Sequence, residues 1–373
     1  MFDKREEDKT SKIHYEDNLR SNKIGSSGFK NIVKLNKYPV IGIIIFLVVV
    51  FSFFYFISFF GIFEKKFCGD GTPYGECSGI APYFCFKGVL VQDASFCKCP
   101  ENFEQKGDSC EYKFQTVPKV VSLDYFFKGK PKKIDFTVYQ GMVDYLGDHP
   151  QSSFYSLSDN YSLQDFKLRV IEEPEQKKLL FPLVIAIQNT AKNKDDQARI
   201  AISLVQNIPY ETSAVFDKEN YQSWSLKYPY DVLYEEEGLC GSKSDLLAFL
   251  LKELGYEVVI LHYYAENHEA VGIKCPKKYS WNNTGYCFVE STQPAIISYS
   301  EGEYSEKGEL YSNPEIIEIS NGASLGGNLE EYRDAETLYR IQVASEKNNG
   351  NINLVEYFMR NNLVKKYGLT SYF

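Results

Sequence analysis

The sequence predicts an α+β protein that carries a small disulfide-rich module and an apolar N-terminal span. Three observations predict it. Pro39 to Phe63 is a 25-residue stretch without a charged residue. Six of the nine cysteines fall between Cys68 and Cys110. Beyond residue 176, helical apolar periodicity and strand-like alternation follow one another along the chain. The 373 residues allow two or three domains with an ample core. A charged fraction of 24% and a hydrophobic fraction of 44% exclude a disordered chain. The net charge of −9 argues against a dedicated nucleic-acid binder.

The first 37 residues form the first segment. They hold nine Lys or Arg and six Asp or Glu, so this tail is basic while the rest of the chain is acidic. Residues 38–63 follow as a predicted transmembrane helix. As a helix, Pro39–Phe63 would be roughly 37 Å long, and a hydrocarbon core needs roughly 30 Å. A buried core helix is rarely so long, and a cleavable signal would be shorter and end in small residues, not Phe59, Phe60 and Phe63. Arg20, Lys23, Lys30, Lys34 and Lys37 stand on one flank with no acid among them; Glu64, Lys65 and Lys66 stand on the other. The positive-inside rule therefore predicts a single-pass protein of the cell membrane with a cytoplasmic N-terminus and extracytoplasmic C-terminal domains. That compartment permits disulfides.

Residues 68–112 are the cysteine-rich module. Cys68, Cys77, Cys85, Cys97, Cys99 and Cys110 lie among Gly, Pro and Asp turn residues. So short a stretch buries little apolar surface, and three disulfides are expected to hold it. Six cysteines allow 15 pairings, all of them open at this level. A zinc site lacks a CxxC pair or a nearby His. The module loosely resembles EGF-like repeats, which implies a stalk or a docking surface for a cell-surface partner. Residues 113–175, with alternating stretches such as KKIDFTVYQG and FKLRVIEE, read as a β-rich or mixed lead-in.

Residues 176–373 form the last predicted domain. Residues 176–191 are apolar and fit helix or strand. Asp195 to Ile208 reads as an amphipathic helix with Ile200, Ala201, Leu204, Val205 and Ile208 on one face. Leu246 to Leu254 gives a second apolar helical face stopped by Gly255, and Glu257 to Tyr263 reads as a strand. Cys275 and Cys287 flank a loop between two alternating segments, which predicts a hairpin with a cross-strand disulfide. EIIEISNG reads as a further strand and residues 335–367 as helix. Asn160 and Asn282 stand in glycosylation sequons.

Eight cysteines are then assigned, and Cys240 remains. It stands at a predicted helix start, where the helix dipole and free amides stabilise a thiolate. A thiolate nucleophile needs a base and the base an orienting group. His268 opens the strand after a polar turn, and Glu290 lies on the returning strand, an order that can form a Cys-His-acid triad. HEAVG offers half of a zinc HExxH pattern, but Gly272 replaces the second His. No metal and no cofactor is implied.

With these residues in view, the chain resembles the transglutaminase-like superfamily, a papain-like fold, and within it membrane-anchored prokaryotic, in particular archaeal, members. LVQNIPY, YPYDVLYEEEGLC, the Cys240 helix leading into LGYEVVILHY, and HEAVGI with VESTQP carry the likeness over residues 195–300 in the family's order. The resemblance implies Cys240 as nucleophile, His268 as general base and acid, Glu290 as orienting acid, and Gln206 as an oxyanion donor. Two features depart from the common pattern. Leu239 and Ser242 stand where relatives often carry acids, and Glu290 stands where many carry Asp. The implied activity is a cysteine peptidase, amidase or acyltransferase that acts on protein or peptide substrates through a thioester. The competing reading is an inactive surface-binding protein on the same scaffold.

Overall fold

The structure, a computed structural model, describes residues 42, 45–52, 66–149, 151, 162–211, 227–300 and 309–369. Met1–Glu64 and Lys65–Phe373 form two compact units. In the first, residues 45–52 are helical. The predicted tail over 1–37 and most of the predicted span over 38–63 lie outside the described residues. Among the described residues no helix is long and apolar enough to cross a membrane.

The second unit is mixed α and β with four disulfides. It opens with the cysteine-rich segment. There β1 (Tyr83–Phe86) pairs with β2 (Val89–Gln92), α1 spans Ala94–Cys97, and β3 (Phe103–Lys106) pairs with β4 (Ser109–Tyr112). The bridges are Cys68–Cys85, Cys77–Cys97 and Cys99–Cys110. Its small core of Cys68, Tyr83, Cys85 and Leu90 is completed by Ile185, a residue of a later helix. Gly69 makes that junction possible: a β-carbon there would lie 1.9 Å from the Gln188 carbonyl oxygen. Asn189 completes it by bonding both the amide and the carbonyl of Leu90, at 2.7 and 3.0 Å.

The lead-in is a hairpin of β5 (Pro118–Phe127) and β6 (Lys130–Tyr139), followed by α2 (Gln140–Gly147) and α3 (Leu163–Ile171), so FKLRVIEE, which alternates like a strand, lies mostly in a helix started by the Ser162 and Asp165 capping box. Val121, Leu123 and Tyr125 alternate inward from one strand, and Ile134, Phe136 and Val138 from the other. Residues 176–191, open between helix and strand from sequence, belong to helix α4 (Pro174–Thr190). Pro174 occupies its first turn, and the Glu173 carboxylate accepts from the amides of Glu175 and Gln176. Pro182 sits inside this helix, and Leu179, Leu180, Leu183, Val184 and Ile187 are buried. Burial over so wide an arc is what blurred the helical period.

The remaining elements are α5 (Lys194–Gln206), α6 (Pro229–Glu235), α7 (Cys240–Glu253), β7 (Val258–Tyr263), β8 (His268–Lys274), β9 (Tyr286–Val289), β10 (Glu315–Ser320), α8 (Glu330–Lys347) and α9 (Leu354–Tyr367). The expected single helical stretch over 335–367 is thus two helices, broken where Asn349 and Gly350 take positive φ. Four strands form one antiparallel sheet in the order β10-β7-β8-β9. Its strand residues alternate between two cores. Val258, Ile260, Val271, Ile273 and Val289 face the core that holds α5 and α7. Val259, Leu261, Tyr263, Ala270 and Phe288 face a second core under α8 and α9. Helix α7 was expected to bury one face. Leu246 to Leu251 are all fully buried, so it is a central helix enclosed on every side. The predicted Cys275–Cys287 bridge ties the end of β8 to β9.

Candidate active site

Cys240 is the first residue of α7, and it is the free cysteine among the described residues. Leu239 precedes it in extended conformation, so the chain enters the helix abruptly and the Cys240 and Gly241 amides fall in the first turn. First-turn amides have no intrahelical acceptor. The entry is held by a short parallel bridge from the segment after α5. The Gly238 amide donates to the Pro209 carbonyl at 3.2 Å, and the Glu211 amide donates to the Gly238 carbonyl at 3.2 Å. That bridge explains why a helix end some thirty residues upstream belongs to the same site.

His268 opens β8 and is 1% exposed. Asn267 before it takes φ of +49°, a left-handed conformation that Asn tolerates, and turns the chain toward α7. The Asn267 carbonyl lies 4.0 Å from Cys240 Sγ. On one side of the ring, His268 Nε2 meets Glu290 Oε2 at 3.0 Å. The Cys240 side chain lies close enough to the imidazole to help hold it in its cationic form.

Glu290 is fully buried just past β9. Its Oε1 accepts from the Ser291 amide at 3.0 Å, the Thr292 amide at 2.8 Å and Thr292 Oγ1 at 2.7 Å. Burial by itself would push this carboxyl up. His268 beside it and the Thr292 bonds together outweigh burial and hold it below its ordinary value. Burial likewise disfavours the His268 imidazolium, but the Glu290 carboxylate and the Cys240 side chain together push the imidazole pKa up to about 10. The three predicted residues are therefore brought together at one place, with Glu290 buried behind His268.

Gln206 is placed differently. Both hydrogens of its buried amide are committed, to the Glu290 carbonyl at 2.9 Å and the Ala295 carbonyl at 3.2 Å. The expected oxyanion donor thus braces the backbone of the acid. Its position at the end of α5 was read correctly, but its side chain turns to the β9 side.

Sequence reasoning missed the polar first turns of α7. Lys243, Ser244 and Asp245 follow the nucleophile, and all are buried. Lys243 Nζ donates to the Ile208 carbonyl and, at 2.9 Å, to the Thr292 carbonyl. Burial drives its pKa down to about 7, against the opposing pull of Glu290. Ser244 Oγ donates to the Glu269 carbonyl at 3.1 Å and lies 2.9 Å from Ser291 Oγ. The signal available in the sequence was the run GSKSD at the head of an apolar helix, which reads as a solvated helix start unless something covers it.

A separate small cavity of about 50 Å³ is lined by Phe126, Ile202, Gln206, Ala295, Ile297 and Tyr367, among others, and Cys240, His268 and Glu290 are not part of its lining. Among the described residues no group of three or more His, Cys, Asp or Glu is arranged to hold a metal. Of the two sequons, Asn160 lies outside the described residues and Asn282 is exposed. No protein-family model matches the chain, and no curated protein matches it.

Proposed function

We propose that this chain is a cysteine enzyme of transglutaminase-like type that acts on amide bonds of protein or peptide substrates through a thioester. The observation that carries the reading is the continuous contact from Cys240 through His268 to the buried Glu290. A helix start packed against the ends of two antiparallel strands is the arrangement such a triad requires.

The chemistry follows from the atoms. His268, held cationic by Glu290, keeps the proton given up by the Cys240 thiol, and Sγ attacks the substrate carbonyl. The free amides at the start of α7 face the developing oxyanion. His268 then protonates the leaving amine, and the acyl group remains on sulfur. In the second half His268 removes a proton from water, and the thioester is hydrolysed. An amine in place of that water would give transamidation by the same steps. Glu290 keeps the ring oriented and stabilises its cationic form throughout. In this proposal the 38–63 segment anchors the enzyme in the cell membrane with the catalytic unit outside. The disulfides suit that compartment. The cysteine-rich segment then offers a surface to other cell-surface molecules.

The test uses the full chain in detergent and an amide-mimicking electrophile that labels thiols. Labelling is expected to be lost in Cys240→Ala and to fall strongly in His268→Ala. Labelling that persists without Cys240, or that ignores His268, overturns the enzyme reading and leaves a binding protein.

A further inference from the structure

Beside the triad lies a second buried set of charges that the reaction as written does not use. Lys167 of α3 is 5% exposed, Asp245 of α7 3%, and Glu269 of β8 7%. Lys167 Nζ contacts Asp245 Oδ1 at 3.0 Å, Asp245 Oδ2 at 3.2 Å and Glu269 Oε2 at 2.5 Å. The other Glu269 oxygen meets His262 Nδ1 at 2.8 Å, and His262 lies directly across the strand pair from Glu269.

The location of this cluster gives it meaning. Glu269 is the residue after His268, and Gly241 is the residue after Cys240. The two lie close together: a β-carbon on Gly241 would lie 3.2 Å from Glu269 Oε2 and 3.8 Å from Lys167 Nζ. Lys167 therefore bridges the helix that starts at Cys240, through Asp245, and the strand that starts at His268, through the adjacent Glu269.

We propose that Lys167, Asp245 and Glu269 form a positioning clamp that sets the reach between Cys240 and His268. The proposal rests on the cysteine-enzyme reading. These are positioning residues, because none of them touches the thiol or the imidazole by the contacts above. A buried ion cluster is a poor source of stability compared with well-packed apolar residues, which fits a role in register better than one in folding energy. Burial pushes Asp245 up, whereas Glu269 is held down by Lys167 and His262 against its own burial. The central ion pair is thus Lys167 with Glu269, and Asp245 completes the lysine's shell.

The test is the rate at which iodoacetamide alkylates Cys240 in the full chain, followed by mass spectrometry across pH, with thermal melting alongside. The wild type is expected to react well at acid pH, where His268 is cationic, and His268→Ala only at alkaline pH. Glu269→Gln and Lys167→Met are expected to slow acid-side alkylation roughly tenfold to hundredfold and to move the profile toward that of His268→Ala. Lys167→Arg, which keeps the bridge, is expected to restore the profile. Asp245→Asn is the milder probe if Glu269→Gln does not fold, with a smaller shift in the same direction. A folded Glu269→Gln or Asp245→Asn with the wild-type profile overturns the clamp. A wild type that itself lacks the acid-side rate overturns the cysteine-enzyme reading, a result distinct from loss of the clamp alone.

Discussion

Lys243 Nζ lies 2.9 Å from the carbonyl oxygen of Thr292, so the helix that starts at Cys240 holds the loop that follows Glu290. The lysine is 0% exposed and also bonds the Ile208 carbonyl at the end of the α5 segment. One side chain thus joins three separate parts of the chain around the triad.

This burial has a pH signature. Folding lowers the Lys243 pKa from 10.5 to about 7. Between those values the unfolded chain binds the proton and the folded chain does not, so the native state gains stability as pH rises. Denaturant titrations of wild type and Lys243→Met should show the wild type gaining on the variant from pH 7 to 10.5, by on the order of a few kcal/mol. A difference that stays level with pH would refute the depressed lysine.

Glu290 controls the protonation of His268. The histidine pKa is raised from 6.5 to about 10, so its contribution to stability is full below 6.5 and is lost as pH rises through about 10. The Glu290 contribution has the opposite sense: it is present above 4.5 and is lost as pH falls through its lowered folded value. In Glu290→Gln, burial is left to dominate, and NMR titration should find the His268 pKa far below 10. The stability gap between wild type and variant should be widest between pH 4.5 and 6.5 and should narrow above 10, where only the bonds from Ser291 and Thr292 to the carboxylate remain. A histidine that keeps its raised value in the variant would contradict the ion pair.

Gln206 separates two roles by its two readouts. Gln206→Leu leaves the buried carbonyls of Glu290 and Ala295 without these donors, at a cost of about 1–3 kcal/mol. Alkylation of Cys240 forms no oxyanion, whereas acylation by a p-nitrophenyl ester does. The structure predicts a loss of stability, with acylation and alkylation changing together. A variant of unchanged stability in which acylation alone collapses would return Gln206 to the oxyanion.

Local pattern made several elements legible before the structure. Asp195 to Ile208 corresponds to α5, Glu257 to Tyr263 to β7, and EIIEIS to β10, because the first carries helical apolar spacing, the second is a short run of Val, Ile and Leu, and the third buries one alternate set. The Cys275–Cys287 hairpin was legible because twelve residues close a local loop. Helix α4 was not, since a helix buried over a wide arc has no periodic contrast and Pro182 weakens the helical signal further. The buried polar head of α7 was missed for a related reason. Lys243 and Asp245 look like a solvated turn until α3, β8 and the Thr292 loop are seen to cover them.

By itself, the sequence determined the chemistry available: one cysteine outside any local pairing, an imidazole and a carboxyl in the right order, and a helix to seat the thiol. Each of these depends on residue type and short spacing. The tertiary structure alone decided the three pairings in the cysteine-rich segment, the turning of Gln206 toward Glu290, and the ion cluster of Lys167, Asp245 and Glu269. Lys167 stands 78 and 102 positions from its two partners. Contacts over such separations leave no local period, because packing of the whole unit brings those residues together.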